Sequence, residues 1–193
     1  MSTALIACGA LAREVLALKQ KYGWKADVLA VPALLHNHPD RIPAAVLSRI
    51  HETRSRYDRV IVVYGDCGTG GQLDAILEAE GVQRLRGPHC YAMYADKEFE
   101  ELMAEEPGTF FLTDYLARFF DTLVIKELGL DRFPELRDQY FANYKRIVYL
   151  AQEEDPFLRD QAQRAADSLK LPLEVRRTGF GALEINLVEL MRP

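Results

Sequence analysis

Short apolar segments alternate along this chain with longer segments in which apolar residues recur at helical spacing. Val, Ile and Leu dominate the short segments, and glycine, proline or polar residues bound most of them. This alternation is typical of βα units arranged around a parallel sheet. We therefore predict an α/β fold, with a mostly parallel, Rossmann-like sheet and helices on both faces, formed as one domain over residues 1–193.

The clearest predicted strand is the β-branched run Arg59–Tyr64, which we expect at the centre of the sheet because it is apolar on both faces. A glycine-rich turn over residues 65–71 follows it, and a helix then runs to Gly81. Further strands are predicted at residues 4–7, 27–31, 82–85, 109–113, 146–150 and 173–176. Helices are predicted at residues 10–21, from about 43, around 99–102, from 114 with Asp114 as its N-cap, from 134 and at 155–169.

Composition and charge narrow the class of protein. The chain has 193 residues, is 49% hydrophobic and 27% charged, and carries a formal net charge of −5. These values fit an ordinary globular protein, and the scattered Lys and Arg argue against a nucleic-acid partner. The N-terminal apolar run has no basic residues before it, and no apolar stretch is long enough to span a membrane. We expect a cytoplasmic protein with no membrane partner. Aromatic residues between Tyr115 and Tyr149 predict core or a subunit interface, hence a possible homo-oligomer.

The three cysteines are the most informative residues. Cys8, Cys67 and Cys90 each follow a predicted strand at its carboxyl end, which is the edge where open α/β sheets bind ligands. Their spacings of 59 and 23 residues differ from those of paired zinc-binding cysteines. Loops from adjacent or next-adjacent strands could bring the three thiols together, so their convergence depends on strand order.

The turn that carries Cys67 suggests how such a site would work. A cysteine near a helix N-terminus is stabilised as a thiolate. Gly65, Gly68, Thr69 and Gly70 are predicted to approach a cofactor through their backbone amides. The alternative is that these glycines only form a tight turn and that the cysteines are small buried hydrophobic residues.

Three thiolates without a fourth leave one coordination position open. This pattern predicts a [4Fe–4S] cluster with one open iron that acts on a small-molecule substrate, with zinc and a bound water as the alternative. Lyase- or transferase-type chemistry would follow. Asp66 and His89 are candidate acid–base groups, with His89 also a possible fourth ligand. His36, in another loop at a strand end, is expected to support the metal ligands or the chemistry.

Two other functions remain open at this point. The turn matches neither a Walker A loop nor a dinucleotide fingerprint. Without metal, Cys67 would be a nucleophile activated by the helix N-terminus and by His89 or His36. A non-catalytic protein that handles a corrinoid or another small molecule is the third possibility, with the glycine loop binding an anion.

Five segments together are similar to a known family: Ile6-Ala7-Cys8, Leu35-His36, the stretch from Tyr64 to Gly70, His89-Cys90, and the stretch from Gly108 to Thr113. The chain resembles domain of unknown function 1638, a family of bacteria and methanogens. The resemblance implies that the three cysteines act as one unit, and it suggests a corrinoid methyltransferase system as a partner. His89 and Cys90 are adjacent here, whereas the family pattern has one residue between them.

Overall fold

The computed structural model describes residues 2–192 and divides the chain into two compact units. Within the described residues, the first unit contains residues 2–93 and 182–192, and the second contains residues 94–181. Each unit is built around its own parallel sheet.

The first unit has a four-stranded parallel sheet. Its strands are β1 (Thr3–Cys8), β2 (Ala26–Val31), β3 (Arg59–Val63) and β4 (Gln83–Arg84). Their order in the sheet is β2-β1-β3-β4, and every neighbouring pair is parallel. Every residue of β1 is buried, as are the last three residues of β3. The interior position expected for β3 is therefore confirmed.

Helices connect and flank these strands. They are α1 (Ala12–Tyr22), α2 (Ile42–Thr53), α3 (Gln72–Glu80), α4 (Cys90–Ala95) and α9 (Gly181–Leu190). Helices α1 and α3 both end at glycines in the left-handed conformation, Gly23 and Gly81, as their sequences predict. The loops after β1 and β2 contain short 3₁₀ turns at Gly9–Leu11 and Ala33–Asn37.

The second unit has a three-stranded parallel sheet. Its strands are β5 (Thr109–Leu112), β6 (Arg146–Ala151) and β7 (Leu173–Arg177), in the order β5-β6-β7. Its helices are α5 (Lys97–Glu105), α6 (Asp114–Arg118), a π-helical segment (Asp121–Lys126), α7 (Leu136–Tyr140) and α8 (Pro156–Leu169). Aromatic residues from the predicted cluster, including Phe120, Phe141 and Tyr149, lie in the core of this unit.

The predicted α/β class, with parallel strands flanked by helices, is confirmed, but the strands are divided between two sheets instead of one. Asp114 was wrongly expected to cap α6. Thr113 is the cap, because its hydroxyl accepts a hydrogen bond from the Leu116 amide. Cys90 is the first residue of α4, and the predicted strand at residues 82–85 is only two residues long. No helix within residues 2–192 is long and apolar enough to cross a membrane.

Candidate functional site

The order of the strands places a topological switch point between β1 and β3. The chain leaves β1 for β2 on one side of the sheet and then crosses back to form β3 on the other side. Loops diverge at such a point, and the crevice outside the carboxyl ends of the two strands is where open α/β sheets bind ligands. Cys8 is the last residue of β1, and Tyr64 directly follows β3.

The same strand order answers the question that the spacing of the cysteines left open. Cys8, Cys67 and Cys90 are carried at or after the carboxyl ends of β1, β3 and β4, which are consecutive in the sheet. His36 follows β2 on the other side of β1. The structure therefore brings the predicted cysteines and one predicted histidine to one sheet edge.

Two glycines allow close approach between the loops of this edge. A Cβ atom on Gly65 would lie 2.9 Å from both the His89 Cα and the Pro88 carbonyl oxygen. The amide of Cys67 donates a 2.7 Å hydrogen bond to that same oxygen. Gly9 has a similar role beside β2, since its Cβ would lie 3.0 Å from the Val31 carbonyl oxygen. These contacts fix the Cys67 loop against the Cys90 loop, and the Cys8 loop against the His36 loop.

Cys67 has an unusual backbone conformation. Its φ angle is +48°, in the left-handed region that residues other than glycine seldom adopt, and Gly68 follows with a φ of +84°. Non-glycine residues held in this region concentrate at functional sites. The conformation is therefore a reason, independent of the residue type, to single out Cys67.

Asp66 holds the turn around Cys67 together. Its carboxylate accepts hydrogen bonds from the Thr69 hydroxyl at 2.6 Å and from the amides of Gly71 and Gly70 at 2.9 and 3.2 Å. The Thr69 hydroxyl lowers the pKa of Asp66 most, and the backbone amides lower it further. The amides of Thr69 and Gly70, which were expected to face a cofactor, already donate within the turn. A cofactor contact would require them to exchange those bonds.

His36 contacts two of the three cysteines. Its Nδ1 atom lies 3.9 Å from the Cys8 sulfur and 2.9 Å from the Ala33 carbonyl oxygen. Burial lowers the pKa of His36, but hydrogen bonds to Cys67 and Cys8 outweigh burial and raise it to about 11. An Nδ1–H group held by a backbone carbonyl leaves Nε2 as the nitrogen available for chemistry.

His89 has a different environment from His36. The Ala92 amide donates a 3.3 Å hydrogen bond to Nδ1 of His89, so this side chain caps the first turn of α4. Its ring also lies 5.5 Å from that of Tyr91, and burial lowers its pKa. His36, by contrast, is placed with its Nδ1 near the sulfur of Cys8.

Tyr64 is a residue of this edge that no sequence motif marks as part of a site. Its side chain is fully buried, and its hydroxyl has no hydrogen-bond partner among the described residues. Burial raises the pKa of Tyr64 most, followed by the neighbouring Cys8 and then by the charges of Cys67 and Cys90. All three cysteines thus act on one hydroxyl group. A tyrosine that ends an apolar strand just before a glycine-rich turn was the available signal.

The thiol of Cys90 is difficult to ionise. Burial raises its pKa, and negative charge on Cys67 or Cys8 would raise it further. Within residues 2–192, no group of three or more His, Cys, Asp and Glu side chains is arranged to hold a metal ion. The cysteines of this edge are all free thiols.

The carboxyl edge of the second sheet carries a separate polar network. Asp114, predicted as a cap, is buried, and its carboxylate accepts hydrogen bonds from the Tyr149 hydroxyl at 2.6 Å and from the amides of Gln152 and Glu153. Burial raises the pKa of Asp114. This carboxylate joins β6 to the start of α6 and is satisfied within its own unit.

Comparison with protein families agrees with this architecture. The family model described as "Protein of unknown function (DUF1638)" matches residues 30–187. The chain belongs to this family. The matched region includes His36, Cys67 and Cys90, whereas Cys8 lies before it. None of the curated proteins compared with the chain matches it.

Proposed function

We propose that Cys8, Cys67 and Cys90 hold a metal centre, a [4Fe–4S] cluster with one open iron, at the carboxyl edge of the four-stranded sheet. The observation that carries this proposal is the strand order. Consecutive strands β1, β3 and β4 present the three cysteines beside a topological switch point. When bound, such a cluster supplies a Lewis-acidic iron to a small polar substrate.

The donor chemistry of the edge supports this proposal. Three thiolates close to one another would repel, and burial already raises the pKa of Cys90. A bound cation removes this penalty because a coordinated thiol loses its proton outright. Tyr64 adds a buried hydroxyl that has no partner among the described residues and is influenced by all three cysteines.

A cluster is favoured over zinc because the two centres require different arrangements of their ligands. One tetrahedral zinc requires its ligands to converge on a single point, whereas a cluster of several iron atoms takes each cysteine at a different iron. In the zinc alternative, His36 would be a nitrogen donor beside Cys8, with its Nδ1 held by Ala33.

The test is metal and acid-labile sulfide analysis of protein purified without oxygen, together with its absorption spectrum. We expect iron and sulfide in cluster stoichiometry, and their loss from each of the variants Cys8→Ala, Cys67→Ala and Cys90→Ala. Zinc without sulfide would replace the cluster with the zinc site. Full metal content in all three variants would contradict both.

A second candidate function is favoured by the conformation of Cys67. A left-handed cysteine beside a histidine resembles a nucleophile held for reaction, with protonated His36 stabilising the thiolate. Alkylation of the metal-free protein separates the two functions. One hyper-reactive thiol at Cys67 favours a nucleophile, and three thiols of similar reactivity favour ligands.

We also propose a cytoplasmic location and a set of partners for this protein. Reduced cysteines persist in the cytoplasm, which is the compartment that a three-thiol site requires. A small-molecule substrate, a homo-oligomer and a corrinoid methyltransferase system are the partners proposed for this protein, and nucleic acid is not proposed. Co-purification of a corrinoid protein under anaerobic conditions would identify the last of these partners.

A further inference from the structure

Two tyrosines occupy comparable positions in the two units but have different hydrogen bonding. Tyr149 is buried in β6, and its hydroxyl donates a 2.6 Å hydrogen bond to Asp114. Tyr64 is buried directly after β3, and its hydroxyl has no partner within residues 2–192. A buried polar group without a partner is unfavourable and uncommon in folded proteins. The Tyr64 hydroxyl therefore requires an explanation.

The surroundings of Tyr64 indicate what that hydroxyl would meet. The His36 ring is stacked with the Tyr64 ring, with centroids 6.0 Å apart and planes inclined by 17°. Cys8, Cys67 and Cys90 are the titratable neighbours that act on the hydroxyl electrostatically. The position lies at the switch point of the sheet, where a ligand would enter. Three cysteines at the switch point of the sheet thus neighbour a hydroxyl that has no partner among the described residues.

We propose that the Tyr64 hydroxyl donates a hydrogen bond to an anionic acceptor bound among Cys8, Cys67 and Cys90, and so helps to determine which ligand the site accepts. This inference rests on the proposed metal centre. The acceptor is either a sulfur of the centre itself or an anionic atom of a ligand at its open position. In both cases the phenol acts as a donor, because a tyrosine hydroxyl carries its proton at neutral pH.

The first experiment compares Tyr64→Phe with Tyr149→Phe in the metal-free protein. Phe retains the ring and removes only the hydroxyl. We expect metal-free Tyr64→Phe to melt at the same temperature as the wild type or higher, because it loses an unpaired polar atom. Tyr149→Phe should melt at a lower temperature, because Asp114 loses a donor. If the melting temperature of Tyr64→Phe falls as much as that of Tyr149→Phe, the inference is overturned, since the Tyr64 hydroxyl would then have a structural partner.

The second experiment loads both wild type and Tyr64→Phe with iron and sulfide and measures their metal content, reduction potential and hydrosulfide binding. We expect equal metal content. A lower reduction potential in Tyr64→Phe identifies a sulfur of the centre as the acceptor, because hydrogen bonds to cluster sulfurs favour the more negative reduced state. An unchanged potential with hydrosulfide bound about tenfold more weakly identifies the ligand at the open position, since about 1.4 kcal/mol corresponds to tenfold.

Unchanged potential together with unchanged hydrosulfide binding would overturn the role of Tyr64 while leaving the metal centre in place. If the wild-type protein takes up no iron, the proposed metal centre is wrong, and the role of Tyr64 is wrong with it. The two failures are distinguishable because metal content is measured before the variants are compared.

Discussion

The Nδ1 atom of His36 lies 3.9 Å from the sulfur of Cys8, although the two residues are 28 positions apart in the sequence. The contact exists because β2 pairs with β1, so the loops that follow these strands meet. The Ala33 carbonyl, 2.9 Å from the same nitrogen, orients the ring. Histidines at metal sites are commonly oriented in this way by a backbone carbonyl.

His36→Ala should therefore weaken metal binding about 10- to 100-fold, the range typical for residues that support metal ligands. Chelator competition on the loaded protein measures this affinity. His38→Ala is the matched control, because His38 lies in the same loop but is exposed. If the metal affinity of His36→Ala stays within twofold of the wild-type value, His36 does not support the metal ligands.

The βα pattern could be predicted well from the sequence because local features of the sequence determine where each strand and helix begins and ends. The apolar run before Tyr64 and the glycines that end α1 and α3 specify their elements without reference to the rest of the chain. The division into two sheets depends on which strands pair, and no local signal encodes that choice. Asp114 was misjudged for the same reason, because its partner Tyr149 lies 35 positions away.

The candidate site could be predicted only in part. The cysteines were found because strand ends are visible in the sequence, but their convergence required the order β1-β3-β4. Tyr64 was missed because a tyrosine at the end of an apolar strand normally reads as core. Its unpaired hydroxyl is a property of the surrounding packing, which the sequence does not display.

The left-handed backbone of Cys67 predicts an unusual order of stability among its variants. Cys67→Ala removes the thiol but retains a Cβ at a φ of +48°, whereas Cys67→Gly removes both. We expect metal-free Cys67→Gly to be about 0.5–1 kcal/mol more stable than Cys67→Ala, since relief of left-handed strain exceeds the added chain entropy of glycine. Urea denaturation measures the difference.

Lys170→Gly is the control for this comparison. Lys170 ends α8 with a φ of +58° and has no part in the proposed site. Lys170→Gly should be more stable than Lys170→Ala by a similar amount. If Lys170→Gly gains stability and Cys67→Gly does not, Cys67 is not strained in the folded protein.

The Asp66 carboxylate predicts a specific dependence of stability on pH. Its hydrogen bonds hold its pKa below the ordinary value of 3.8, so the folded protein binds fewer protons there than the unfolded chain. The stability that Asp66 contributes is therefore present above pH 3.8 and is lost as the pH falls through its lower folded value. At pH 7, Asp66→Asn should destabilise the protein by about 1 kcal/mol, as for the loss of a helix cap.

The difference between wild type and Asp66→Asn should shrink as the pH is lowered below 3.8. Denaturant unfolding at a series of pH values measures it. Thr69→Val, which removes the 2.6 Å donor, should move the pKa of Asp66 back toward its ordinary value. A difference in stability that stays constant with pH would show that the charge of Asp66 has no part in holding the turn.

The close approach at Gly65 links the stability of the fold to the proposed centre. A Cβ there would lie 2.9 Å from backbone atoms of both Pro88 and His89, and neither can move as a side-chain tip could. Gly65→Ala should therefore separate the loops that carry Cys67 and Cys90. We expect a loss of about 1–3 kcal/mol in unfolding free energy, typical of overpacking, and reduced metal content.

Gly81→Ala provides the comparison for Gly65→Ala. A Cβ on Gly81 meets nothing within 4 Å. The loss of unfolding free energy in Gly81→Ala should therefore come only from the φ of +64° and be about 1 kcal/mol. Because Gly81 only ends α3, the variant should retain its full metal content. Equal metal content in the two variants would mean that the contact between Gly65 and His89 does not set the positions of the cysteines. Loss of metal from Gly65→Ala alone would show that this backbone contact holds Cys67 and Cys90 in a common site.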